Sequence, residues 1–144
     1  MPKPLILIAD ANAHIRCFLK RELLAKDFEI IFAKSHMEVL KRLETGRKPD
    51  LVVLDPDLPF IGGVSALLRI KSKAPRIPVV IYTAYAEDAD NPAYSRADAI
   101  VEKIPNPVFL VRTILDLLSG YGKDRSETGL GLKKNHDQGE QIEK

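Results

Sequence analysis

Leu51-Val52-Val53-Leu54-Asp55-Pro56-Asp57-Leu58-Pro59 is the stretch that decides the fold. Four consecutive apolar residues read as a strand buried on both faces. Asp55 stands where that strand runs out. Pro56 and Pro59 forbid its continuation and force a loop. Open α/β sheets bind ligands outside the carboxyl ends of their strands. Asp55 is therefore either a site carboxylate or a turn cap, the ordinary duty of Asp. The flanking segments bear on that choice.

On the N-terminal side, Leu5-Ile6-Leu7-Ile8-Ala9 is a second continuous apolar run and ends at Asp10. A helix is expected from about Ala13 to Lys26, with Asn12 as N-cap. Its inner stripe is Ile15, Phe18, Leu19 and Leu23. Phe28 to Ala33 reads as a strand rich in aromatic and β-branched residues. Ser35 then caps a helix, with Glu38 completing a capping-box pattern. Val39, Leu40 and Leu43 form its inner face, and Gly46 stops it.

On the C-terminal side, Gly62 and Gly63 permit a turn with positive φ or a close backbone approach. The next helix spans about Val64 to Lys73 and packs Leu67, Leu68 and Ile70. Val79 to Tyr82 is a buried strand with Thr83 at its end. The segment from Ala84 to Arg96 is polar and interrupted by Pro92, so a short or irregular helix is expected. Ala99-Ile100-Val101 is a short strand followed by Lys103. The last helix begins near Pro105 and Pro107, lines its inner face with Leu110, Ile114, Leu117 and Leu118, and ends at Gly120.

Strand and helix alternate five times. This implies a five-stranded parallel sheet covered on both faces by helices. Right-handed crossovers narrow it to a doubly wound, flavodoxin-like α/β sandwich of order 2-1-3-4-5. Asp10 and Asp55 then meet at one rim.

A length of 144 residues suits one domain, residues 4–120, and a tail, 121–144. An apolar share of 45% supplies a core, and a net charge of +2 gives no case for nucleic-acid binding. No apolar run approaches the ~20 residues of a membrane span. Met1-Pro2-Lys3-Pro4 carries no secretory signature. Cys17 is the sole cysteine, so a reducing cytoplasm is the expected compartment, and Cys17 is expected to be inertly buried or partly buried in its helix. His14 and His36 are expected on exposed helix surface. Tyr94 faces either a partner or the sheet. From Gly122 onward the chain holds four of the eight glycines and balances five basic against five acidic residues. A flexible tail is expected there.

Four of five strand ends thus carry polar groups aimed at one rim: Asp10, Asp55 with Asp57, Thr83 and Lys103. Clustered carboxylates raise each other's pKa unless a cation neutralises them. Mg²⁺ suits them, since it prefers hard oxygen ligands and keeps several waters. A lysine and a threonine suit an anion arriving at the carboxylate.

These residues resemble the response-regulator receiver domain of two-component signalling. The resemblance spans roughly residues 4 to 120. Asp10, the Leu-Val-Val-Leu-Asp of 51–55, Leu58-Pro59, Gly63, Thr83-Ala84 and Lys103 carry it. It implies that Asp55 is a phosphoacceptor attacking the phosphohistidine of a sensor histidine kinase or phosphotransfer protein. It implies Mg²⁺ held by Asp10, Asp55 and the backbone carbonyl of Asp57, shielding the transferring group. Lys103 would pair with the phosphoryl oxygens, and Thr83 would move to hydrogen-bond one of them. The added charge would bias a two-state element read by a downstream protein. A phosphorylation-dependent homodimer stays open. No nucleic acid, no membrane and no turnover beyond self-modification are expected.

The departures are equally specific. Ala11 stands where the family usually has a second acid, so Mg²⁺ is expected to bind weakly. Ile104 replaces the usual proline after Lys103, so a trans peptide is expected there. Ile100 replaces the frequent switch aromatic, which leaves Tyr82 or Tyr85 to act in its place. Ala11 favours a second reading, a degenerate receiver that acts as a phosphate-independent interaction module. A third, a small-molecule enzyme, lacks a glycine-rich phosphate loop at Asp10-Ala11-Asn12-Ala13.

Overall fold

A computed structural model describes residues 3–58 and 63–120. Five strands form one parallel sheet: β1 (Leu5–Ala9), β2 (Glu29–Ala33), β3 (Leu51–Leu54), β4 (Val79–Thr83) and β5 (Ala99–Glu102). Their order is β2-β1-β3-β4-β5, as the sequence predicts. Four α-helices connect and close the sheet: α1 (Ala13–Leu24), α2 (His36–Glu44), α3 (Gly63–Lys73) and α4 (Val108–Leu118). Two short 3₁₀ turns, Ala86–Asp90 and Pro92–Tyr94, replace a helix between β4 and β5. Pro92 and the lack of an apolar stripe account for that.

Side-chain alternation along the strands builds two cores. Ile6, Ile8, Leu51, Val53, Val80 and Val101 pack against Leu19 and Leu23 of α1 and Leu110 and Ile114 of α4. Leu7, Ala9, Val52, Leu54, Ile81 and Ile100 pack against Val39 and Leu43 of α2, Leu67 and Ile70 of α3, and Tyr94. Each fully buried Leu or Ile contributes roughly 1.5–3 kcal/mol. Both faces are thus sealed, and the exposed part of the sheet is its rim.

The caps behave as the sequence suggests. The Asn12 side chain accepts from His14 N and Ile15 N. Ser35 Oγ accepts from Glu38 N at 3.3 Å. Glu38 reaches back to Lys34 N, one residue earlier than the usual box. Gly46 and Gly120 take positive φ after their helices. The Lys103–Ile104 peptide is trans.

Several expectations need correction. Cys17 is exposed. It lies on the face of α1 opposite the stripe of Ile15, Leu19 and Leu23. His36 is buried, because it falls one turn before Val39 on the inner stripe of α2. Its Nδ1 has no hydrogen-bond partner. Leu68 is exposed while Leu67 and Ile70 are buried. Of the two orientations left open for Tyr94, the structure has the one toward the sheet, packed into the core. The tail from 121 lies outside the described residues.

Two acids anchor the opposite, N-terminal edge of the sheet. Leu5 N donates to Asp50 Oδ2 at 2.8 Å while Asp50 N donates to Leu5 O at 2.7 Å. Val79 N donates to Asp98 Oδ2 at 2.8 Å while Asp98 N donates to Val79 O at 2.8 Å. Each acid sits immediately before a strand and fixes the first rung with its neighbour. Asp98 also takes the buried Lys71 ammonium at 2.8 Å, which donates to Ile77 O as well.

Candidate functional site

The register fixes the site. Ala9 pairs with Leu54, so the next residue on each strand, Asp10 and Asp55, emerges side by side. Asp55 N donates to Ala9 O at 2.9 Å and Asp10 N to Ala33 O at 3.1 Å, which extends the ladders to the rim. Each carboxylate is then tied to its own loop in the same way. Asp10 Oδ1 accepts from Asn12 N and Asp55 Oδ1 accepts from Asp57 N, both at 2.9 Å. These Asx turns leave the two Oδ2 atoms pointing into one space.

Lys103 fills that space. Its Nζ lies 2.9 Å from Asp10 Oδ2 and 3.3 Å from Asp55 Oδ2. Its position follows from β5, whose last pairing sets Glu102 beside Thr83. The ammonium stands 5.7 Å over the Tyr82 ring, a cation–π distance. Burial first, and then the charge of Asp10, push the Tyr82 phenol up to about 12. Tyr82 therefore remains a neutral platform.

Asp10 and Asp55 are both buried, at 2% and 7% exposure. Burial raises the Asp55 carboxyl above the ordinary range. The Asp57 amide opposes this, the Asp10 charge adds to it and Lys103 opposes it again. Asp10 Oδ2 is close enough to Lys103 for an ion pair but is not oriented for a hydrogen bond, so it remains a buried acceptor without a hydrogen-bond partner.

Thr83 is buried at the end of β4, and its hydroxyl is committed. Oγ1 donates to Asp88 Oδ2 at 2.6 Å and accepts from Tyr85 N at 3.1 Å. Arg16 of α1 donates through Nη1 to the Asp10 carbonyl at 2.8 Å. The sequence reading missed both Asp88 and Arg16. Asp88 lay in a polar stretch without periodicity, and Arg16 lies outside the apolar stripe of its helix, where the sequence offers nothing to single it out.

The donor set suits a loosely held hard cation. Two carboxylates, one with an orphaned oxygen, and the Asp57 carbonyl are compatible with Mg²⁺, which commonly takes one or two carboxylates and keeps its waters. Ala11 adds no ligand. Among the described residues no group of three or more acidic, His or Cys side chains is placed to hold a metal. The Lys103 ammonium also lies against the same two oxygens, so a divalent cation there competes with it.

The sequence profile described as "Response regulator receiver domain" matches residues 6–114. This chain belongs to that family. It is a receiver domain of the two-component type, and phosphorylation and Mg²⁺ are typical of such domains. The chain is 33% identical over 85 residues to the alkaline phosphatase synthesis transcriptional regulatory protein PhoP of Bacillus subtilis, covering 59% of this chain and 35% of that one. It is 31% identical over 137 residues to a protein-glutamate methylesterase/protein-glutamine glutaminase of Rhodospirillum rubrum, covering 88% and 36% respectively. The receiver thus spans about a third of the length of these two relatives, and one of them is an enzyme.

Among solved structures, the response regulator TrrA of Thermotoga maritima, in complex with Mg²⁺ and beryllofluoride, superposes with a TM-score of 0.74 at 32% identity. That match covers 79% of this receiver and 98% of TrrA. TrrA has also been crystallised with the histidine kinase ThkA. In this receiver, no helix among the described residues is long and apolar enough to cross a membrane.

Proposed function

We propose that this receiver accepts a phosphoryl group on Asp55 from a sensor histidine kinase or a phosphotransfer protein, and signals through protein contacts. The observation that supports this best is the Asp55 carboxylate itself. It ends β3 at the rim, with Oδ1 oriented by Asp57 N and Oδ2 facing the Lys103 ammonium.

In this reading a carboxylate oxygen of Asp55 attacks phosphorus. The bond from phosphorus to the donor's nitrogen or oxygen breaks, and an acyl phosphate forms. The leaving imidazole regains its proton from solvent. Lys103 follows the developing charge on the phosphoryl oxygens without leaving the rim. Asp10, Asp55 and the Asp57 carbonyl would hold Mg²⁺, which when bound neutralises charge on the transferring group. Arg16 keeps the Asp10 main chain in place.

The receiver domain is residues 4–120, acting in the cytoplasm. Its partners are the phosphodonor protein and one downstream protein; a homodimer formed on phosphorylation is a further arrangement to test. No turnover of an independent substrate is part of this reading.

Incubation with acetyl phosphate and Mg²⁺ should add one phosphoryl mass to the intact protein, and Asp55→Asn should abolish the addition. Wild type left unmodified under those conditions would sink the mechanism. A second reading, a phosphate-independent interaction module, is favoured by Ala11 and by the Lys103 ammonium already lying against both acids. For that module, Asp55→Asn leaves signalling in cells unchanged.

A further inference from the structure

We propose that Asp88 is a positioning residue for the switch: it holds the Thr83 hydroxyl proton, and a phosphoryl group on Asp55 must win that hydrogen bond from it. This rests on Asp55 being the phosphoacceptor. A threonine hydroxyl has one proton, and phosphoryl oxygens only accept. The Thr83 proton is already donated to Asp88 Oδ2 at 2.6 Å. Thr83 is 1% exposed, so bulk water does not replace the lost partner. The two hydrogen bonds are therefore alternatives.

Release of this latch has a defined consequence. Thr83 Oγ1 also accepts from Tyr85 N at 3.1 Å. A turn of the Thr83 side chain toward Asp55 frees Asp88 and the Tyr85 amide together. Both belong to the start of the 3₁₀ segment, and the Tyr85 ring is already half exposed there. The switch hydroxyl is thus joined by one hydrogen bond to the main chain of a surface aromatic, Tyr85, and by another to Asp88.

Charge works in the same direction. Burial first, and then Asp88, Asp57 and Asp55, push the Tyr94 phenol up. Asp88 therefore belongs to the same acidic neighbourhood as the phosphoacceptor. Its carboxylate opposes the arrival of further negative charge as well as holding Thr83.

The test uses beryllofluoride, a phosphoryl mimic, titrated into the full chain at saturating Mg²⁺, with the Tyr85 amide followed by NMR. Asp88→Ala should tighten beryllofluoride binding about tenfold, because a charge-assisted hydrogen bond no longer competes. It should also move the Tyr85 amide of the free protein toward its beryllofluoride-bound position. Asp88→Asn, which keeps an acceptor oxygen and loses the charge, should give an intermediate gain and guards against a folding defect in the alanine variant. In a Thr83→Ala background the gain from Asp88→Ala should shrink to about twofold or less. Uptake by every variant with no dependence on Asp88, or an equal gain with and without the Thr83 hydroxyl, overturns the latch and spares the phosphoacceptor. No uptake by any variant removes the phosphoacceptor reading and the competition with it.

Discussion

A methyl group at position 11 governs what the rim can hold. Asp10 and Asp55 share the single Lys103 ammonium, and Ala11 contributes no oxygen beside them. Ala11→Asp adds a third carboxylate to a pair that one ammonium already balances only in part. Mg²⁺ binding should tighten by roughly tenfold or more, read as amide shifts in an NMR titration. An unchanged affinity would mean that position 11 does not face the cation. Asp10, Asp55, Thr83 and Lys103 were legible in the sequence because each stands at or just past the end of a buried apolar run. Asp88 and Arg16 were not, since only the folded chain brings them to their partners. His36 was misread although its spacing to Val39 and Leu43 marks the inner stripe; residue type was given more weight than period.

The strands depend on devices that no apolar pattern reveals. Asp50 and Asp98 each lock the first rung of a strand pair, yet an apolar pattern passes over both. Their worth differs because Lys71 does. Asp98→Ala strips a carboxylate from an ammonium only 9% exposed and also orphans the Val79 amide. It should cost roughly 3 kcal/mol in urea unfolding. Asp50→Ala, at a side chain 50% exposed, should cost about 1 kcal/mol. Equal losses would mean that Lys71 readily finds another partner. The long elements were legible from period alone, whereas α3 was rotated in the reading. Leu67-Leu68 offers no clue to which leucine turns inward, and Ala66 with Ile70 decides it.

At the scale of the molecule, the site is held at a cost to the fold. The Asp55 carboxyl titrates above the ordinary carboxylate range because burial disfavours the anion. Below that range the group is protonated in folded and unfolded chains alike and adds nothing. As pH rises through the window up to the folded pKa, the unfolded chain loses its proton first, so stability falls and stays lower above it. Asp55→Asn cannot ionise. It should melt higher than wild type at pH 7 by roughly 2–4 °C, with the gap closing in acid. A lower melting temperature for Asp55→Asn at pH 7 would show that attraction to Lys103 outweighs burial. The layered sheet and its strand order were readable from alternation alone, but this opposition between site and stability needed the burial of each acid.

The bridge from Ala86 to Tyr94 carries a last implication. It has no complete α-helical turn, its main-chain bonds such as Asn91 N to Asp88 O close small loops within itself, and its buried side chains are the Ala89 methyl and the Tyr94 ring. Such a bridge can melt and re-form while every strand ladder stays intact. On the proposed mechanism a message would loosen this one seam and leave the architecture as it was.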